Sequence, residues 1–183
     1  MNNNNKKEKL LILGKSGSGK DFLMRRLVEK GLTPCVKWTT RPIRKYEEQG
    51  IDYNFVDIID FSQSINEHKF LTYQRFHVTP ENSEPQTWFF GITLEEFNTS
   101  QVFIMTPGEF KDISPEIRKD CFVVYLDIDR GIRESRLHSR EDKNDSVKRR
   151  LDSDEIDFEN LVDYDLRITD PDFGANDVYD LMS

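Results

Sequence analysis

The sequence predicts an α/β protein with a mostly parallel sheet, helices on both faces and a small inserted lobe. Three short apolar runs support this class: residues 10–13 (LLIL), 102–105 (VFIM) and 122–126 (FVVYL). Unbroken apolar runs of this length are typical of strands buried on both faces of a parallel sheet. Helical patterns between the runs favour the same class, because parallel strands need crossover connections.

The elements follow in a regular order. The first run leads through a glycine loop into a helix whose apolar positions end at Gly31. Asp129 is a good N-cap for a helix that continues through His138, and residues 166–169 (LRIT) form the last strand candidate. Helices and strands therefore alternate over most of the chain.

The middle of the chain differs from the rest. Residues 49–61 and 70–91 are rich in aromatic side chains and less regular, which indicates the inserted lobe. We therefore expect a flexible leader of residues 1–8 and one domain over 9–183, with its core in 9–36 and 100–183 and the lobe over about 37–99.

Composition narrows the possible functions. The 183 residues carry 26 Lys+Arg and 34 Asp+Glu, and the acidic excess lies in residues 141–183, which hold 14 acidic and 5 basic side chains. The acidic balance argues against bulk nucleic-acid binding. No apolar stretch reaches the roughly 20 residues of a membrane span, and the polar start has no signal core. We expect a cytoplasmic protein that binds neither nucleic acid nor membrane.

A glycine-rich loop follows the first strand and precedes the first helix, which is where a P-loop must lie. Its backbone N–H groups and the helix N-terminus suit phosphate oxygens, and Lys20 suits the β- and γ-phosphates of a nucleoside triphosphate. Asp21 stands where the pattern has Ser or Thr, as a possible Mg²⁺ ligand or simply a first-turn acid. The residues of the loop are Gly14, Lys15, Ser16, Gly17, Ser18, Gly19 and Lys20.

A second candidate phosphate site lies in residues 39–55 (TTRPIRKYEEQGIDYNF). Arg41 and Arg44 can donate paired hydrogen bonds to a phosphate, and the Tyr53 hydroxyl can add another. A solvated, charged loop is the alternative for any two arginines taken alone.

This second string resembles the acceptor-phosphate motif of guanylate kinases, T-T-R-x-x-R-x-x-E-x-x-G-x-D-Y-x-F, at every position. The resemblance implies a P-loop kinase fold and ATP-dependent, Mg²⁺-assisted phosphorylation of a small nucleoside monophosphate by a monomer or homodimer. It assigns the monophosphate to Arg41, Arg44 and Tyr53, with Glu47 orienting the arginines. The acceptor-binding residues it implies are Lys37, Arg41, Arg44, Glu47, Tyr53, Thr72, Phe90 and Thr93.

Residues 136–140 (RLHSR) and 149–151 (RRL) resemble the lid of the same family, which places a lid over about residues 136–151. Arg136 is then expected at the ATP site. Surface ion pairs with Glu134 or Asp154 are the alternative for each lid arginine. The catalytic residues implied are Lys20, Arg44, Arg140 and Arg150.

The positions that read guanine in guanylate kinases differ in this chain. Thr72 replaces a glutamate, Ile92 replaces a serine or threonine, and Lys37 replaces a serine. Such losses leave the polar edge of guanine poorly paired. We therefore expect an altered or deoxy nucleoside monophosphate, with Trp88 or Phe89 stacking on the base, unless these aromatics belong to the core.

Two other functions stay open. Ribose 1,5-bisphosphate phosphokinases are similar in having a P-loop that reads G-S-G-K-D and no acid on the strand matching residues 102–105, which makes a phosphorylated sugar a rival substrate. Some guanylate-kinase-like domains are non-catalytic binding modules. The intact motif over residues 39–55 favours a nucleotide kinase over a sugar kinase. The retained Gly14, Gly19, Lys20, Arg41, Arg44, Arg140 and Arg150 favour an enzyme over a binding module.

Overall fold

The computed structural model describes residues 7–78, 84–139 and 146–182. The chain forms two compact units, the first of Met1–Pro34 and Gln101–Ser183 and the second of Cys35–Ser100. In chain order the elements are β1 (Lys9–Gly14), α1 (Lys20–Glu29), β2 (Trp38–Thr39), β3 (Asn54–Phe55), α2 (Ile58–Asn66), β4 (Phe70–Val78), β5 (Gln86–Thr93), α3 (Leu94–Thr99), β6 (Val102–Ile104), α4 (Pro107–Lys111), α5 (Pro115–Arg118), β7 (Cys121–Leu126), α6 (Arg130–His138), α7 (Val147–Phe158), β8 (Leu166–Ile168) and α8 (Asn176–Met182).

The first unit is built on a four-stranded sheet in the order β6-β1-β7-β8, and all three pairings are parallel. Ile12 at the centre of β1 pairs with Ile104 on one side and Val124 on the other. All four apolar residues of the first run are fully buried. Burial on both faces explains why β1 has a continuous apolar run rather than an alternating one.

Helices cover both faces of this sheet. On one face, Ile12 belongs to a buried cluster with Leu23 and Leu27 of α1 and with Val178 of α8. On the other face, the Tyr125 ring of β7 stacks on Phe158 of α7 at 5.6 Å between centroids. The predicted α/β class with a parallel sheet between helices is confirmed.

The second unit contains a sheet in the order β3-β2-β5-β4, in which β4 and β5 pair as a long antiparallel ladder. The expectation of less regular structure is wrong for residues 70–91, which hold β4 and most of β5, the two longest strands that the structure describes. Residues 49–61 contain only the short β3 and the start of α2. Aromatic side chains explain this order: Phe70 of β4 stacks on Phe61 of α2 at 4.4 Å.

Local signals match most element ends. Asp129 caps α6 by accepting hydrogen bonds from Gly131 N and Ile132 N, as its position predicted. The strand predicted over 102–105 ends one residue earlier, at Ile104. Among the described residues, no helix combines the length and apolar character needed to span a membrane.

Candidate active site

The glycine-rich loop turns the chain from β1 into α1. Gly17 and Gly19 have φ values of 77° and 102°, which side chains other than glycine rarely adopt. A Cβ atom on Gly17 would lie 2.7 Å from the carbonyl oxygen of Arg133, so α6 packs directly against the loop. Two constraints therefore require glycine at position 17.

Lys20 begins α1 and reaches back across the loop. Its Nζ donates to the carbonyl oxygen of Gly14 at 2.6 Å and to that of Lys15 at 3.1 Å. These bonds hold the ammonium group at the mouth of the loop, where the P-loop pattern needs a cation.

Arg136 of α6 also contacts the loop. Its guanidinium donates to the carbonyl oxygens of Gly17 at 3.3 Å, Ser18 at 3.4 Å and Pro171 at 3.0 Å. The structure thus brings Arg136 to the proposed ATP site. Arg150 lies half-buried in α7, whereas Arg140 lies outside the described residues.

A buried arginine that the motif analysis did not single out also touches the loop. Arg133 is 1% exposed. It donates from Nε to Ile128 O at 2.9 Å, from Nη2 to Glu155 Oε1 at 2.7 Å, and more weakly from Nη1 to Ser16 O at 3.5 Å. A signal was present in the sequence: Arg133 lies one turn before the buried Leu137, so an arginine stands at a core-facing helix position that requires acidic partners.

Two acids of α7 complete this network. The Ser16 backbone N–H donates to Asp154 Oδ2 at 2.7 Å, and Lys15 forms an ion pair with Glu155. Burial opposes ionisation of Glu155, but hydrogen bonds from Lys15 and Arg133 outweigh it and lower the pKa of that carboxyl group. We refer to Arg133, Asp154 and Glu155 as the α7 clamp.

In the second unit, Arg41 and Glu47 form a buried two-point pair. Arg41 is 6% exposed, and its Nη1 and Nη2 donate to Glu47 Oε2 at 2.9 Å and Oε1 at 2.6 Å. Glu47 Oε2 also accepts from the backbone N–H of Arg44 at 2.8 Å. One carboxylate therefore fixes the side chain of one arginine and the backbone of the other.

The same contacts set the charge of Glu47. Partial burial opposes its ionisation, but the hydrogen bonds from Arg41 and Arg44 and their positive charges together lower the pKa of the Glu47 carboxyl group. Glu47 is therefore an anion at neutral pH, and it offsets part of the positive charge of the loop.

Aromatic rings extend the site from this pair into the sheet. The Arg41 guanidinium lies 5.3 Å from the centre of the Tyr53 ring, within cation–π range. Tyr53 packs edge-on against Phe90 at 5.8 Å, and Phe90 against Phe76 at 5.7 Å.

Thr72 lies on the same sheet face as Phe90. Thr72 pairs directly with Ile92 of β5, and Ile92 shares a face with Phe90 because the two are two residues apart on one strand. The structure thus groups four of the predicted acceptor residues, Arg41, Glu47, Tyr53 and Phe90, and places Thr72 on their sheet face.

The other candidates around this site have separate surroundings. The hydroxyl of Thr93 caps α3 by accepting from Glu96 N at 3.1 Å, and the carbonyl oxygen of half-buried Lys37 accepts from Asn54 N at 2.8 Å. Phe89 packs against Phe61 in the aromatic cluster under α2, which agrees with the alternative hypothesis that this ring belongs to the core. Trp88 is half-buried, and its indole N–H donates to Gln86 Oε1.

Asp21 is the candidate metal ligand. It lies exposed in the first turn of α1, directly after Lys20. Within the part of the chain that the structure describes, no group of three or more His, Cys, Asp or Glu side chains could hold a metal ion. A single carboxylate such as that of Asp21 fits a magnesium ion that phosphates and water also ligate.

A parallel sheet whose first strand enters a glycine loop and a lysine-headed helix, together with a separate arginine site, defines the chain as a P-loop kinase. The guanylate kinase family model matches residues 6–80. The chain is 31% identical over 153 residues to guanylate kinase of Oleidesulfovibrio alaskensis, covering 78% of this chain and 69% of the relative. It is 28% identical over 180 residues to guanylate kinase of Malacoplasma penetrans, covering 94% and 90%.

A crystal structure of guanylate kinase from Anaplasma phagocytophilum matches the fold with a TM-score of 0.68 at 17% identity, over 97% of this chain and 86% of that one. The chain belongs to the guanylate kinase family, and the resemblance seen in its motifs is confirmed. It is accordingly a nucleoside monophosphate kinase with ATP as the phosphoryl donor.

Proposed function

We propose that the protein transfers the γ-phosphoryl group of ATP to the phosphate of a nucleoside or deoxynucleoside monophosphate whose base is not guanine. The observation that carries this proposal is the buried Arg41–Glu47 pair beside Tyr53. It supplies a rigid site for an acceptor phosphate, while the sheet face next to it holds Thr72 where guanylate kinases have a glutamate.

The donor site is the glycine loop with Lys20 and Arg136. Loop N–H groups bind the phosphates, and Lys20 neutralises charge on the β- and γ-phosphates. Asp21, together with the phosphates of ATP, would hold Mg²⁺, which would offset part of the charge of the triphosphate when bound.

The acceptor site holds the monophosphate by charge and shape. Arg41 cannot rotate away, because Glu47 and the carbonyl oxygen of Pro42 fix its guanidinium. Arg44 and the Tyr53 hydroxyl add further donors to the phosphate oxygens. Orientation of this kind supplies much of the catalysis in phosphoryl transfer, since the protein has little covalent chemistry to perform.

The reaction is a direct displacement. An oxygen of the acceptor phosphate forms a bond to the γ-phosphorus as the bond to the ADP oxygen breaks, giving a nucleoside diphosphate and ADP. Lys20, Arg44, Arg140 and Arg150 neutralise charge that spreads over the transferring group. No covalent intermediate on the protein is expected.

The surroundings of Thr72 support a base other than guanine. Thr72 is 3% exposed and lies opposite Ile92 in the β4–β5 ladder. A hydroxyl and an aliphatic side chain cannot provide the anionic acceptor that suits the N1–H and N2–H₂ edge of guanine. A polar edge of the base that is left unpaired can lower kcat/KM for that substrate by orders of magnitude.

A panel of monophosphates tests the proposal. Purified protein, ATP and Mg²⁺ are incubated with the common ribo- and deoxynucleoside monophosphates, with base-modified analogues, and with ribose 1,5-bisphosphate, and ADP release is measured. We expect turnover of a monophosphate other than GMP that disappears in Lys20→Ala. Preferential turnover of GMP contradicts the base assignment, turnover of the sugar alone favours the rival kinase, and ATP binding without any turnover favours the binding module.

Light scattering of the same purified protein measures its molar mass and so distinguishes the monomer from the homodimer.

A further inference from the structure

The glycine loop in this structure already binds an anion that belongs to the protein. The Ser16 backbone N–H, one of the N–H groups of the glycine loop, donates to Asp154 Oδ2 at 2.7 Å. Ser16 and Asp154 are 138 positions apart in the chain, so the contact joins the loop to α7.

The rest of the α7 clamp holds this carboxylate in place. Glu155, the next residue, accepts from Arg133 Nη2 at 2.7 Å and forms an ion pair with Lys15 of the loop. Arg133 Nη1 also lies 3.7 Å from Asp154 Oδ2, and the Asp154 side chain is only 16% exposed. Several buried or half-buried partners therefore fix Asp154, unlike a solvated surface ion pair.

A backbone N–H donates one strong hydrogen bond at a time, so a carboxylate and a phosphate oxygen cannot both use Ser16 N–H. Their negative charges also repel each other strongly at a partly buried site. We propose that Asp154 sets the ATP affinity of the glycine loop by competing with the donor's phosphates for Ser16 N–H. The inference rests on the proposed ATP site, and it requires Asp154 to withdraw when ATP binds.

Withdrawal of Asp154 has a consequence for the rest of α7. Arg150 precedes Asp154 by four positions, so both lie on one side of the helix, about 6 Å apart along its axis. A shift of α7 that releases Ser16 N–H also moves Arg150. Donor binding is thereby coupled to the position of an arginine that the proposed reaction uses.

The affinity test compares three variants by calorimetric titration with ATP and Mg²⁺. Asp154→Asn keeps an oxygen but removes the charge, and Asp154→Ala removes both. Asp152→Asn is the matched control, because Asp152 lies on the same helix and pairs with Arg130 on the exposed surface. We expect ATP to bind on the order of tenfold more tightly to both Asp154 variants and with unchanged affinity to Asp152→Asn.

Other results overturn the inference. Unchanged or weaker binding by Asp154→Asn rules out competition, and weaker binding by Asp154→Ala with wild-type binding by Asp154→Asn shows that Asp154 only positions the loop. If Asp152→Asn tightens ATP binding as much as Asp154→Asn does, the effect comes from the change in net charge and not from the contact with Ser16. A wild-type protein that binds no ATP contradicts the donor assignment itself, a failure that the wild-type titration reveals separately.

A second test uses only the wild-type protein, so its result does not depend on whether the variants fold. Hydrogen exchange of the peptide covering α7 is compared with and without ATP and Mg²⁺. A shift of α7 that releases Asp154 predicts faster exchange in α7 when ATP is bound. Equal or slower exchange in α7 with saturating ATP contradicts this shift and its coupling to Arg150.

Discussion

Arg41 and Glu47 bind each other through two parallel hydrogen bonds of 2.6 and 2.9 Å, and the arginine is almost completely buried. Charge-assisted pairs of this geometry fix the guanidinium plane as well as its position. Because the same carboxylate accepts from Arg44 N, a change at Glu47 alters the presentation of both arginines.

Glu47→Gln is expected to raise the KM for the acceptor by about tenfold, because the amide replaces one charged hydrogen bond and frees the guanidinium to rotate. The KM for ATP should stay close to that of the wild type. Steady-state kinetics with each substrate varied separately measures this difference. Glu48→Gln is the control, since Glu48 is exposed and its described hydrogen bonds are made by its backbone: the N–H donates to Asp52 Oδ2, and the carbonyl oxygen accepts from Ile51 N and Asp52 N. Equal effects of the two substitutions would show that Glu47 has no special role.

The lowered pKa of Glu47 makes part of the stability depend on pH. A carboxyl group whose folded-state pKa lies below its ordinary value stabilises the fold above that ordinary value, and the contribution is lost as pH falls through the folded-state pKa. Wild type should therefore be more stable than Glu47→Gln near pH 7, and the gap should narrow below about pH 4. Urea unfolding at several pH values measures this gap, and a constant gap would contradict the linkage.

Lys20→Ala is expected to reduce kcat by at least a hundredfold, because the substitution removes the ammonium charge that Lys20 holds at the mouth of the loop for the β- and γ-phosphates. A coupled assay of ADP formation, using the acceptor found by the panel, measures the loss. Lys119→Ala removes a lysine from the exposed end of α5 and should leave kcat unchanged. Retention of more than a tenth of wild-type activity by Lys20→Ala would argue that the loop does not bind the donor.

Much of the fold could be predicted because local and long-range signals agree. The continuous apolar run of β1 fits a strand buried on both faces, and Asp129 caps α6 at the residue where its type and position predict. The hairpin of β4 and β5 was missed, since its order depends on cross-strand and helix packing such as that of Phe70 on Phe61. Pairing of this kind leaves no short-range pattern in the sequence.

The site could be predicted in part for a similar reason. Residues close in sequence, such as Arg41 and Glu47, form a recognisable motif, and the structure brings them into contact. The three residues of the α7 clamp and its partner Ser16 come from distant parts of the chain, and no spacing rule connects them. The sequence offered only an arginine at an apolar helix position, which signals a buried partner without naming it.

A comparison of substitutions at Gly17 and Gly31 distinguishes the cost of backbone strain from the cost of a packing clash. Both have positive φ, 77° and 92°, but a Cβ atom on Gly17 would lie 2.7 Å from Arg133 O, whereas a Cβ atom on Gly31 would meet nothing within 4 Å. Gly31→Ala should cost about 1–2 kcal/mol of unfolding free energy, the price of a left-handed residue. Gly17→Ala carries that cost together with a clash against backbone, so it should lose at least about 2 kcal/mol more. It should also bind ATP more weakly, because relief of the clash moves the loop away from α6. Urea unfolding and ATP titration of both variants measure these effects, and equal destabilisation of the two would contradict the direct packing of α6 on the loop.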